Sequence, residues 1–204
     1  MLISMIMCLK QSWLSFPTGG IQIVNMKPHM TDSEILLFNK ILDESTIYYE
    51  FGCGGSTNVA LNKKNITKVY SIDTDKNWLN KFDHPKLHKT YIDVGETEDF
   101  GNPVNESKID NWKLYSASID EISDEPDTVF IDGRFRVACG VKTWFNVSEK
   151  TNVLIHDFTG RTHYHELLNL YDIKATCEQL VLLSKKASTV DLNEMYDRYK
   201  HDIR

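Results

Sequence analysis

The chain has 204 residues, a formal net charge of −6, 41% hydrophobic and 25% charged residues. That is enough for one well-packed domain and short for two, and the composition excludes a low-complexity chain. The acidic balance and the scattered Lys and Arg argue against a nucleic-acid footprint, which needs clustered cations, and no apolar run reaches the roughly 18 residues of a membrane span.

Cys8, Cys53, Cys139 and Cys177 are widely spaced with no C-x-x-C pair, as in reduced thiols rather than a zinc site or a disulfide framework. The apolar start lacks a basic n-region and is cut short by Lys10, so it is not read as a signal peptide, and the expected location is cytoplasmic.

Residues 1–30 are read as an arm packed on the domain, with part of an acceptor pocket as the alternative, and carry a short strand over 21–24. Thr31 or Asp32 then caps a helix in which Glu34 is the first-turn acid and Ile35, Phe38, Ile41 and Leu42 recur at helical spacing. Residues 46–51 are β-branched and aromatic, the make-up of a central strand. It breaks into Gly52, Gly54 and Gly55, which allow close approach of backbone to a ligand, and Ser56 or Thr57 is placed to cap the following helix. A second strand over 67–72 ends at Asp73, about 20 residues past the turn, where an acid reaches the hydroxyls of a ribose; a plain helix cap is the alternative.

A helix over 75–82 carries Trp78, and a strand over 88–92 ends at Asp93. Residues 96–116 are irregular, either a substrate lid or a surface insertion with a short helix near 109–114. A strand over 127–131 ends in Asp132-Gly133-Arg134-Phe135-Arg136, followed by a helix over 137–145. The strand 152–155 ends in His156-Asp157, and Arg161 to Glu166 open the next helix. Strands over 173–177 and 179–183 close the pattern, and a polar helix from Asp191 is read as a solvated face. Strand and helix alternate throughout, which predicts an α/β fold with a mostly parallel sheet and helices on both faces. In such sheets ligands bind beyond the carboxyl ends of the strands, where Glu50, Asp73, Asp93, Asp132, His156 and Asp157 all fall.

The acid-x-Gly-x-Gly run Glu50-Phe51-Gly52-Cys53-Gly54 resembles the first motif of the class I S-adenosylmethionine-dependent methyltransferases. A carboxylate there repels a pyrophosphate and suits a cationic ligand, and Thr57 stands where a dinucleotide fingerprint ends in glycine, so NAD is disfavoured. Ile131-Asp132-Gly133 and Ile155-His156-Asp157 strengthen the resemblance, which spans roughly residues 30–184. It implies a Rossmann-like sheet of seven strands with an antiparallel C-terminal strand, as one domain over 1–204: arm 1–30, core 31–184 and C-terminal helix 185–204. It also implies S-adenosylmethionine held by Glu50, Gly52, Cys53, Gly54, Gly55, Ser56, Thr57, Asp73, Asp93 and Asp132.

In metal-dependent relatives, acids at the ends of the fourth and fifth strands hold a divalent ion, so Asp132 and Asp157 become candidate ligands for Mg²⁺ or Mn²⁺. The usual Asp-Asn or Asp-Asp pair of the fifth strand is replaced here by His156-Asp157. Candidate catalytic residues are Asp132, His156, Asp157 and His163, and candidate acceptor anchors are Arg134, Arg136 and Arg161, with neutralising buried acids the alternative role for Arg134 and Arg136. His163 and His165 lie two apart on the expected helix and cannot share one point. The fuller signature is similar to small sugar O-methyltransferases, including some from large algal viruses. The expected function is methylation of a hydroxyl on a small molecule or glycan, with no membrane partner and a homodimer as one possible assembly. The alternatives are an RNA or DNA methyltransferase and an inactive interaction domain.

Overall fold

A computed structural model describes residues 26–204. The strand expected over 21–24, most of the arm and Cys8 lie outside the described residues. In chain order the elements are α1 (Asp32–Asp43), β1 (Ile47–Phe51), α2 (Gly55–Asn62), β2 (Lys68–Asp73), α3 (Lys76–Leu79), β3 (Leu87–Tyr91), α4 (Ile109–Ala117), β4 (Thr128–Ile131), α5 (Arg136–Asn146), β5 (Asn152–Ile155), β6 (Tyr171–Cys177), β7 (Leu180–Lys185) and α6 (Leu192–Tyr199). The strands form one seven-stranded sheet in the order β3-β2-β1-β4-β5-β7-β6. β7 pairs antiparallel with β5 and with β6, and the other pairings are parallel.

The pleat decides the layers. Tyr48 of β1 packs with Phe38, Ile41 and Leu42 of α1, while Tyr49 and Phe51 turn to the other face against Trp112 and Tyr115 of α4 and Val137 and Val141 of α5. Both faces are therefore covered, as a parallel sheet requires. The strand order reverses between β1 and β4, and in sheets of this kind ligands bind beyond the carboxyl ends of the strands at such a point.

Three local expectations are corrected. The helix expected over 75–82 is a single turn, α3, and the segment from Arg161 is a 3₁₀ stretch over Thr162–Asn169. α6 is not a solvated face: Met195 is buried, and Leu192, Tyr196 and Tyr199 pack on the core beside α5.

Candidate functional site

The turn after β1 is built for close approach. Gly52 has φ 100°, and a Cβ on it would lie 2.9 Å from the backbone of Gly133, so the turns after β1 and β4 touch. A Cβ on Gly55 would fall 2.2 Å from the backbone nitrogen of Pro28, because residues 27 and 28 cross the first turn of α2. Cys53 is packing: burial pushes its thiol up to about 12, and it lies against Leu79 and Phe82.

Glu50, expected to suit a cationic ligand, lies beneath the turn. Its side chain is wholly buried and accepts from the hydroxyls of Tyr48 (2.9 Å), Ser56 (2.7 Å), Ser71 (2.7 Å) and Thr57. Burial raises its pKa to about 7 against the pull of those donors. Ser56 and Thr57 consequently turn inward to Glu50, and the N-cap of α2 is Gly54. Glu50 positions the turn from beneath.

Asp73 stands at the end of β2 and accepts the backbone N–H groups of Cys53 and Asp75, both at 2.8 Å. Burial, the largest influence, raises its pKa. The neighbouring Thr74 hydroxyl donates to Gly101 at 3.0 Å, so the loop carrying Phe100, itself 83% exposed with φ 62°, is pinned beside Asp73. Trp78 donates its indole N–H to the Cys53 carbonyl. Asp93 forms an ion pair with Lys108, which lowers its pKa.

The ends of β4 and β5 hold the second group. Arg136 is 3% exposed and its Nη2 lies 3.1 Å from Asp132 and 3.3 Å from Asp157. Its Nε donates to the Gly133 carbonyl (3.0 Å) and its Nη1 to the His156 carbonyl (2.5 Å). Two non-glycine residues adopt left-handed backbone here, Phe135 (φ 56°) before α5 and Asp157 (φ 59°) after β5, and they aim these groups at one another.

His156 is 7% exposed, with Nδ1 at 3.3 Å from Asp132 and Nε2 at 3.5 Å from Glu34. Burial lowers its pKa, but Asp132, Asp157 and Glu34 together outweigh that and raise it. With a carboxylate at each nitrogen, the imidazolium is the form the surroundings favour, which suits a buried cation that fixes Asp132 rather than a free base.

Asp132, His156 and Asp157 place donor atoms within 4.8 Å of one another, a cluster of the size a metal needs. The surroundings do not fit one. The Arg136 guanidinium already lies on both carboxylates and Arg161 holds Asp157 at 2.9 Å, so a divalent ion at Asp132 and Asp157 would sit against fixed positive charge. His163 is not brought into the cluster; it lies by Asp202 and Arg204, and burial and Arg204 lower its pKa.

The sequence reading missed two contributors. Glu34 forms the capping box of α1, accepting from Thr31 N, and its other oxygen accepts from Gln179 N, each at 2.8 Å, before facing His156. Its capping role was legible; partners 145 residues away are not a local signal. The C-terminal segment supplies the Ile203 and Arg204 carbonyls to the N–H groups of Phe135 (3.2 Å) and Arg136 (2.9 Å), closing the N-terminus of α5. The helical spacing of Leu192, Met195, Tyr196 and Tyr199 was the available sign that this end packs.

No family model and no curated protein matches the chain. Among solved structures, a methyltransferase-like protein from Silicibacter pomeroyi superposes with a TM-score of 0.79 at 22% identity, covering 87% of this chain and 98% of that one. Precorrin-6y C5,15-methyltransferase from Geobacter metallireducens gives a TM-score of 0.50 at 14% identity, covering 81% and 94%. At these identities the likeness is one of architecture: the chain has the Rossmann-like fold found in methyltransferases.

Proposed function

We propose that the chain transfers a methyl group from S-adenosylmethionine to a hydroxyl of a sugar or other small polyol. The observation that carries this is the placement of Asp73 and of the Asp132–His156–Asp157 group on opposite sides of the glycine turn, where the strand order reverses. Asp73 offers a carboxylate to ribose hydroxyls, and the turn brings bare backbone to the methionine moiety. The net charge of −6 favours a small acceptor over a nucleic acid.

In this reading the acceptor oxygen attacks the methyl carbon in line. The C–O bond forms as the C–S bond breaks, and the sulfonium leaves as a neutral thioether, so no acid is required. Asp132, 28% exposed on its side chain, takes the hydroxyl proton, while Arg136 and His156 hold that carboxylate in place from the buried side. Positioning supplies about 7–11 kcal/mol in such reactions. A general base adds about 10²–10⁴-fold.

The test is calorimetric titration with S-adenosylhomocysteine, using NAD as the control ligand. Saturable binding of the former alone is expected. Binding of NAD, or of neither, overturns the reading.

A further inference from the structure

The arginines at the ends of β4 and β5 are unequally satisfied. Arg136 spends its donors on three carbonyls and two carboxylates. Arg134 does not. Its Nη1 donates to the neutral Asn102 side chain at 2.8 Å, its Nε is buried with no partner, and among the described residues no carboxylate forms an ion pair with it. A buried N–H on a cation without an acceptor is rare in a folded chain and calls for an explanation.

The local charge agrees. Arg136 lies on Asp132 and Asp157, Arg161 lies on Asp157, and His156 sits between Asp132 and Glu34, while Arg134 faces none of these carboxylates. Arg161 sits on the open side, 44% exposed, with Nη2 on Asp157 and its guanidinium 5.9 Å from the Tyr164 ring centre. The positive charges of Arg136 and Arg161 both act on Arg134, so an incoming anion relieves a repulsion.

Resting on the methyl-transfer reading, we infer that Arg134, with Arg161 at the rim, forms a subsite for a carboxylate or phosphate group, and that the acceptor is an acidic sugar rather than a neutral one. The planar fork of a guanidinium suits either anion. The same chemistry is carried by the amino-acid end of S-adenosylmethionine, and the experiment separates the two sources.

The protein saturated with S-adenosylhomocysteine is titrated calorimetrically with glucuronate, glucose 6-phosphate and glucose. Inorganic phosphate is titrated into the protein with and without S-adenosylhomocysteine. Wild type should prefer at least one acidic sugar over glucose by about tenfold or more. Arg134→Gln should erase that preference and Arg134→Lys should restore part of it, with S-adenosylhomocysteine affinity held within about twofold in both. Arg161→Gln, at the exposed rim, tests the subsite without touching a buried group and should weaken the acidic sugar about threefold or more.

Equal affinity for charged and neutral sugars, or anion binding indifferent to Arg134, overturns the inference. A tenfold or greater loss of S-adenosylhomocysteine affinity in Arg134→Gln also overturns it, assigning the anion to the cofactor. Failure of the methyl-transfer reading registers separately, as absent S-adenosylhomocysteine binding in wild type, and the phosphate titration of the free protein still reads the subsite.

Discussion

Glu34→Gln separates a capping residue from one that ties the site to the scaffold. Glu34 is 2% exposed, and its carboxylate accepts two backbone N–H groups, one from Thr31 at the start of α1 and one from Gln179 in the turn between β6 and β7. Hydrogen bonds to a charged group contribute about 1.5–3 kcal/mol each. Glutamine keeps an acceptor for one N–H and turns an amide donor toward the other, so the expected loss is about 2–3 kcal/mol. In a domain of this length each kcal/mol moves the midpoint about 2–4 °C, which places the drop at about 4–12 °C.

The pH dependence follows from the linkage to His156. Its pKa is raised in the folded state, so the stability it contributes is present in full below its unfolded value of about 6.5 and is lost as pH rises through the folded value. The Glu34 pKa is lowered, burial opposing and the Thr31 and Gln179 N–H groups prevailing, so its contribution is present above the unfolded value and is lost as pH falls through the folded one. The gap between wild type and Glu34→Gln is therefore widest between about pH 5 and 6.5 and narrows toward pH 9. Thermal melts across that range measure it, with Asp32→Asn, an exposed first-turn acid of the same helix, as a control expected to leave the midpoint unchanged. A variant within about 2 °C of wild type at pH 6, or a gap that grows toward pH 9, refutes the reasoning.

Asp132→Asn should lower turnover on a hydroxyl acceptor by about 10²–10⁴-fold while leaving S-adenosylhomocysteine affinity in place; equal losses in both would remove Asp132 from the chemistry. Gly52→Ala forces a side chain onto φ 100° and within 2.9 Å of the Gly133 backbone, so the turn must open. It should cost about 1–3 kcal/mol of stability and abolish S-adenosylhomocysteine binding, and a variant that binds normally contradicts the packing of the two turns. Chelation with EDTA should leave both affinity and turnover unchanged, because Arg136 and Arg161 already occupy Asp132 and Asp157; recovery of lost activity by Mn²⁺ would show the opposite.

The parallel sheet was legible because its strands carry the signals that survive without neighbours. The run 46–51 is β-branched and aromatic apart from Glu50, and glycines or acids follow the carboxyl ends of β1 to β5. The helix expected over 75–82 was over-long because Asp83 and Pro85 follow only after α3 has ended, and nothing local marks its stop at Leu79. At the site, which residues gather was readable from strand ends, but their orientation was not. Glu50 and Asp73 both close strands beside the turn, yet Glu50 is wholly buried under hydroxyl donors and Asp73 stands at the strand's end. A period-2 pattern says which face a strand residue takes only once the register of the turn is known.

Burial across the second group is graded in a way that bears on mechanism. Of Arg136, His156, Asp132 and Asp157, the two basic residues lie inside, 3% and 7% exposed, and the two acids lie outside, 28% and 29% exposed on their side chains. Apolar replacements of such buried ion networks are often neutral or stabilising, so stability alone gives little reason for this one. Holding carboxylates rigidly at the mouth does give a reason. If positioning outweighs proton removal, as about 7–11 against 3–5 kcal/mol suggests, then the residue that fixes both acids matters more than either acid. Arg136→Lys keeps the charge but gives up the fork that reaches Gly133, His156, Asp132 and Asp157 together. It should lower turnover more than Asp132→Asn does, with the loss in kcat rather than in KM, and retention of more activity than Asp132→Asn would place the base above the scaffold that aims it.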